Sequence, residues 1–219
     1  MFLCMSSLHG RNKQPQHKQL PSMEIRRAQN EAEYRQAADL HTQYIPTGFL
    51  SSLGSAFFNR MYAFIATDES AVLVVAVEGK KVIGFIAGTV DVRSFYRRFI
   101  RKNILWGLIL LPKLVTWASI KRALETLLYP LKHELGGLPQ AELLSIVVDH
   151  PYQGKGISTL LYERLKKYFQ MSGVREFKII VGSTLMSAIC FYQKMGATKI
   201  TEIEVHKGCT SWVMLHRIT

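Results

Sequence analysis

Short apolar runs rich in β-branched residues alternate along the chain with stretches whose apolar residues recur every three to four positions, the pattern of an α/β domain. Met23–Arg27 predicts a short first strand. Asn30 with Glu33 three residues on predicts a capped helix that runs to about Tyr44, ahead of Pro46. Thr47-Gly48 turns the chain, and Phe49–Ala66 predicts a second helix with Phe49, Leu50, Leu53, Phe57, Tyr62 and Phe64 on its apolar side. Ala71–Val77 and Lys81–Val90 predict two strands joined at Glu78-Gly79-Lys80. Gly84 and Gly88 leave two positions of the second strand without a side chain. Leu143–Val148 predicts a fourth strand, ended at Asp149-His150-Pro151 because Pro151 has no N–H to donate. A helix follows, with Ile157, Leu160, Leu161, Leu165, Tyr168 and Phe169 close to a 3.6-residue period and Gly173 as its cap. Arg175–Val181 predicts a fifth strand and Thr184–Met195 a last helix with Gly196 at its end. Ala197–Val205 and Cys209–Arg217 predict a closing hairpin.

Residues 91–138 interrupt this order. They carry nine basic residues and three acids, so +6 of the chain's net charge of +12. Ile104–Leu111 is almost wholly apolar, Pro112-Lys113 breaks it, and Leu114–Tyr129 reads as helical. The apolar run is too short to span a bilayer. A lid over a substrate site or a homodimer contact fits this insertion better than contact with an anionic membrane surface. Residues 1–22 are polar, basic and without periodicity, which predicts a flexible tail ahead of a single domain over 23–219.

The chemistry concentrates between the fourth strand and the helix after it. Gln153-Gly154-Lys155-Gly156-Ile157-Ser158 is a glycine-bearing turn that opens a helix. The N–H groups of a first helical turn lack intrahelical partners and favour an anion, glycines let a phosphate approach the backbone, and Lys155 adds a charge. A plain turn between strand and helix uses the same glycines. The spacing is not a Walker A loop, and Thr159 stands where a dinucleotide fingerprint needs its third glycine.

Gln153-x-x-Gly156-x-Ser158 resembles the acyl-CoA signature Q/R-x-x-G-x-G/A of the GNAT superfamily of N-acetyltransferases, with Ser158 in place of the last small residue. Ser187-Ala188-Ile189-Cys190-Phe191-Tyr192-Gln193-Lys194-Met195-Gly196-Ala197 is similar to the late helix of that family, A-x-x-F-Y-x-K-x-G-F. It departs from the family at Leu185, where Asn is frequent, and at Ala197, where Phe is frequent. The resemblance implies a GNAT fold: a mixed, mostly antiparallel sheet with splayed fourth and fifth strands, flanked by helices, with a helical insertion between strands three and four. It implies acetyl-CoA as acyl donor, held by Gln153, Gly154, Lys155, Gly156, Ile157 and Ser158. Ile146, Val147 and Val148 would run beside the pantetheine, with the N–H of Val148 facing the thioester oxygen. It further implies Tyr192 as general acid for the leaving thiolate and Glu142 as a candidate base, with Asp149, His150 or a water relay as alternatives. Tyr44, Thr47 and Phe49 would border the acceptor.

Composition narrows the partners. Hydrophobic residues make up 48% of the chain, enough for a core. Cys4, Cys190 and Cys209 have no paired spacing and the histidines form no cluster, so neither a disulfide framework nor a metal site is expected, and a cytoplasmic setting fits. The positive charge suits a polyanion such as CoA. The expected activity is transfer of acetyl from acetyl-CoA to the amine of a small molecule, an amino sugar or sugar nucleotide being attractive because the basic insertion would meet its phosphates. The alternatives are a protein or peptide N-acetyltransferase, and a non-catalytic CoA-sensing or nucleic-acid-binding module. For the last, Ser94–Phe99 interleaves aromatic and basic residues but matches no nucleic-acid motif.

Overall fold

A computed structural model of the chain describes residues 23–45, 54–110, 137–206 and 209–218. The expected tail, the Thr47-Gly48 turn, Phe49 and the expected helix Leu114–Tyr129 lie outside the described residues. The described elements are β1 (Met23–Arg27), α1 (Glu31–Tyr44), α2 (Ser55–Thr67), β2 (Ala71–Glu78), β3 (Lys81–Thr89), α3 (Val92–Leu110), β4 (Glu142–Val148), a 3-10 turn (His150–Tyr152), α4 (Ile157–Met171), β5 (Glu176–Gly182), α5 (Met186–Lys194), β6 (Thr198–His206) and β7 (Cys209–Arg217).

The start of α1 follows the expected capping chemistry. The Asn30 side chain accepts the Glu33 N–H at 3.1 Å. Glu33 reaches back to the N–H of Gln29 at 2.8 Å and takes both arms of the Arg26 guanidinium at 2.8 and 3.0 Å. The helix start is thereby tied to β1. The second helix begins later than the periodicity predicts: Gly54 is its N-cap and Ser55 its first residue.

The seven strands run in the order β1-β2-β3-β4-β5-β7-β6. Every pairing is antiparallel except β4–β5, which is parallel. This is the mixed, mostly antiparallel sheet expected from the sequence. The sheet is covered on both faces. Val72, Val74 and Ala76 of β2 pack with α4 and α5, while Leu73, Val75 and Val77 pack with α1, α2 and α3. Alternation along one strand therefore builds two cores.

The first half of α3 belongs to the second core. Phe95 and Phe99 are buried, and their rings lie 5.3 Å and 5.4 Å from that of Phe64 in α2. Arg98 grips Asp68 through two hydrogen bonds of 2.8 Å. The aromatic residues Phe95 and Phe99 are thus withdrawn from the surface, which removes them as stacking platforms for nucleobases. Their spacing along the chain matches such platforms only because the same spacing places them on one buried helix face.

Gly88 is a point of close contact between α4 and the sheet. A Cβ there would lie 2.7 Å from Leu165 Cδ1, 3.0 Å from Phe169 Cζ and 3.2 Å from the Glu142 carbonyl oxygen. Leu165 and Phe169 are fully buried, so they have no room to retreat. Gly88→Ala is expected to destabilise the fold by about 1–3 kcal/mol, read as a lower urea midpoint at unchanged slope.

Candidate active site

β4 and β5 touch only at their start. Glu142 pairs with Lys178 and Leu143 with Ile179, and no later pair is formed. On its other edge β4 stays registered with β3 as far as Val148. The register there slips by one residue, since Ala87 faces Ser145 while Gly88 faces Leu143, leaving Leu144 unopposed. Such a bulge bends the strand. β4 thus leaves β5 at the bulge, and a fork opens in the sheet.

An ion pair sits at the vertex of the fork. Lys178 Nζ lies 3.5 Å from Glu142 Oε2 and donates to the Pro139 carbonyl at 2.6 Å. Both residues are buried. Burial raises the Glu142 pKa above the usual carboxylate range, and the Lys178 charge pulls it partly back. The expected candidate base is therefore engaged at the strand junction.

The fork is lined by backbone. Asp149 donates its N–H to Ile83 of β3 at 2.8 Å. Strand alternation then aims the N–H groups of Val148 and Ile146 away from β3, into the fork, and that of Val147 toward β3. Gln153 Nε2 donates to the Val148 carbonyl on the fork side at 2.9 Å, joining the turn to the strand end.

The glycine turn leads directly into α4. Gly154 and Gly156 have φ of 74° and 80°, values that exclude most side chains, and a Cβ at either would meet nothing within 4 Å. Gly156 is the N-cap and offers no side-chain oxygen. No side-chain bond caps the first turn of α4, and its N–H groups lack intrahelical partners. Lys155 Nζ stands 5.1 Å from the Tyr152 ring centroid.

Tyr192 lies on α5, 6% exposed, within the core cluster that contains Tyr162. Burial raises its pKa well above the usual phenol value, so it stays protonated at neutral pH. The remaining expected residues are engaged elsewhere. The Tyr44 hydroxyl donates to Asp149 Oδ1 at 2.7 Å and accepts the His150 N–H at 3.0 Å. Lys81 bonds Asp149 Oδ2 at 2.7 Å. That bond, followed by the one from Tyr44, holds the Asp149 carboxyl below its usual pKa. A cavity of about 560 Å³ opens beside this strand end, with Asp39, Tyr44, Lys81 and His150 in its wall.

One constellation was not legible in the sequence. His41 Nδ1 lies 2.7 Å from the Tyr62 hydroxyl, and that hydroxyl lies 2.8 Å from Ser145 Oγ. All three residues are buried. They come from α1, α2 and β4, so no local spacing joins them. The visible signal is Ser145 itself, the single polar residue inside the apolar run Leu143–Val148.

Among the described residues no group of three His, Cys, Asp or Glu side chains converges as a metal site would require, and no helix is long and apolar enough to cross a membrane.

Burial pushes His41 down from its usual 6.5 to about 4. An unfolded chain then binds a proton at this residue that the folded chain refuses. Its contribution to stability is complete above about pH 6.5 and is lost as the pH falls toward about 4. Between about pH 7.5 and about pH 5 the wild type is expected to lose on the order of 2 kcal/mol more stability than His41→Phe. Urea denaturation of both proteins at the two pH values measures this difference.

The Acetyltransferase (GNAT) family model matches residues 34–197, most of the chain. No curated protein sequence matches significantly. Among solved structures, that of SsHAT is similar at a TM-score of 0.66 and 18% identity, covering 91% of this chain and 100% of its own. The ribosomal-protein-S18-alanine N-acetyltransferase from Escherichia coli is similar at 0.54 and 15%, covering 90% and 95%. A chain of the NatC complex bound to Gag peptide and CoA is similar at 0.57 and 11%, covering 90% and 99%. With the forked sheet and the family match over its central residues, the chain belongs to the GNAT family of acetyltransferases.

Proposed function

We propose that this N-acetyltransferase moves an acetyl group from acetyl-CoA to the amine of a small molecule, and that the fork between β4 and β5 holds the donor. The observation that carries the reading is the meeting of two sets of unclaimed backbone donors. The uncapped first turn of α4 suits the pyrophosphate. The N–H groups of Ile146 and Val148 suit the pantetheine and the thioester oxygen, where negative charge develops during attack. Gln153 would hold the turn against the strand end rather than contact the phosphates itself.

Acetyl-CoA supplies an activated acyl group with a thiolate leaving group. The chain must orient the thioester, receive a proton from the amine and stabilise the departing sulfur. Tyr192, on α5 in the core beside α4, is the candidate for the acid role, its phenol being protonated at neutral pH. Glu142 is given the vertex instead of the base: its ion pair with Lys178 fixes the point where the strands part.

A peptide amine is the second reading. It is favoured by the likeness in fold to the Escherichia coli enzyme named for a ribosomal-protein alanine. A panel of glucosamine, spermidine and Ala- and Met-initiated tripeptides, assayed by thiol release from acetyl-CoA, separates the two. Turnover of the peptides alone would overturn the small-molecule reading.

Two further outcomes test the donor site. Acetyl-CoA is expected to raise the melting temperature saturably and more than ATP does, and Gly156→Val is expected to abolish that difference. Equal shifts with any polyanion would contradict a built site. Tyr192→Phe is expected to lower kcat by on the order of 10²-fold while the KM for acetyl-CoA stays unchanged. An unchanged kcat would remove Tyr192 from the chemistry.

A further inference from the structure

The aromatic core between the sheet and helices α1 to α3 contains a hydrogen-bonded line of three polar side chains. Ser145 Oγ, Tyr62 Oη and His41 Nδ1 follow one another at 2.8 and 2.7 Å among Phe57, Phe58, Phe85 and Val147. Packing does not require them. Apolar groups of the same shape fill such a space at nearly equal stability. Their position is informative. Ser145 is the first residue past the bulge and the second past Leu143, the last residue of β4 to pair with β5. Its side chain points to the α2 face, opposite the face that carries α4 and the glycine turn. A donor held by that turn leaves the Ser145 face for the acceptor. At the other end, His41 on α1 retains 9% exposure.

We propose that Ser145, Tyr62 and His41 form a proton relay that carries the proton released by the acceptor amine from the fork to the solvent side of α1. The inference rests on the acetyl-transfer reading given above.

The steps balance. The amine nitrogen attacks the thioester carbon, a C–N bond forms, and the C–S bond then breaks. The proton on the new ammonium passes to Ser145 Oγ. The Ser145 hydroxyl proton passes to Tyr62 Oη, the Tyr62 proton to His41 Nδ1, and the Nε2 proton of His41 to water. The thiolate takes its proton from Tyr192, which water restores. One proton enters at Ser145 and one leaves at His41. Tyr62 has a single proton, so the line has two polarities: Ser145 to His41, or His41 to Ser145. Reorientation of the hydroxyls and tautomer exchange of His41 through water restore the starting polarity. Ser145 is the catalytic residue of this line, and Tyr62 and His41 act through it.

Tyr62→Phe and Ser145→Ala preserve shape while cutting the line. Thiol release from acetyl-CoA is followed with the best amine of the panel named above, or with water as nucleophile. Each variant is expected to keep the acetyl-CoA melting shift and the KM for acetyl-CoA, and to lose kcat by on the order of 10²-fold. The double variant is expected to be no slower than either single one, because one line can be cut only once. Ser145→Thr, which restores a hydroxyl, is expected to recover most of the rate. In the wild type the dependence of kcat on the deuterium fraction of the solvent is expected to be bowed, as for several protons in flight, and linear in the variants. Nitrogen NMR of His41 gives a readout without an acceptor. Cutting the line at Ser145 leaves Tyr62 only His41 to donate to, so Ser145→Ala is expected to hold His41 in its Nε2–H tautomer, whereas the wild type samples both. Unchanged kcat, multiplicative losses in the double variant, or identical His41 spectra overturn the relay. Absence of any acetyl-CoA shift in the wild type overturns the donor site instead, and the relay with it.

Discussion

The parting of β4 from β5 is the constraint on which the rest of the structure depends. A continuous sheet would consume the N–H groups of Ile146 and Val148 in a ladder. Here the ladder stops after Leu143, while the β3 side of β4 remains paired to its end. The bulge at Leu144 turns β4 away, and the Glu142–Lys178 ion pair holds the two strands together at the one place where they touch. A buried ion pair is weak evidence for stability, since desolvation offsets much of its attraction. This one sits at the last paired residues before the fork, beside the backbone bond from the Lys178 N–H to the Ala141 carbonyl at 2.9 Å.

The two cores serve the fork from opposite sides. α4 and α5 bring the uncapped helix start and Tyr192 to one face, while α1 and α2 bring His41 and Tyr62 to the other. The missing side chain at Gly88 leaves room for Leu165 and Phe169 of α4 against the sheet. On the other side, Tyr44 ties the end of α1 to Asp149 and His150 immediately after β4. Both faces are therefore anchored to β4, the strand that borders the fork.

Much of this was legible in the sequence because it is local. The Asn30–Glu33 cap, the β2–β3 hairpin, the turn from β4 into α4 and the final hairpin each declare themselves within a few residues, and the structure contains them. The late helix with Tyr192 also lies where its motif indicates. What stayed hidden depends on pairing between distant segments. The engagement of Glu142 needs Lys178, 36 positions later in the chain, and only the register of β4 against β5 brings them together. The line from His41 through Tyr62 to Ser145 joins three elements that no spacing rule connects. Phe95 and Phe99 show the reverse error: beside arginines they read as a surface, yet one helix face buries both.

The most direct test of the central claim is residue-resolved NMR of the backbone amides as CoA is titrated into the protein. The account predicts large, saturable shifts at Ile146, Val148, Ile157 and Ser158, with much smaller ones at Val147, whose N–H belongs to β3. Shifts confined to the basic residues of α3, or equal shifts at Val147 and Val148, would contradict it.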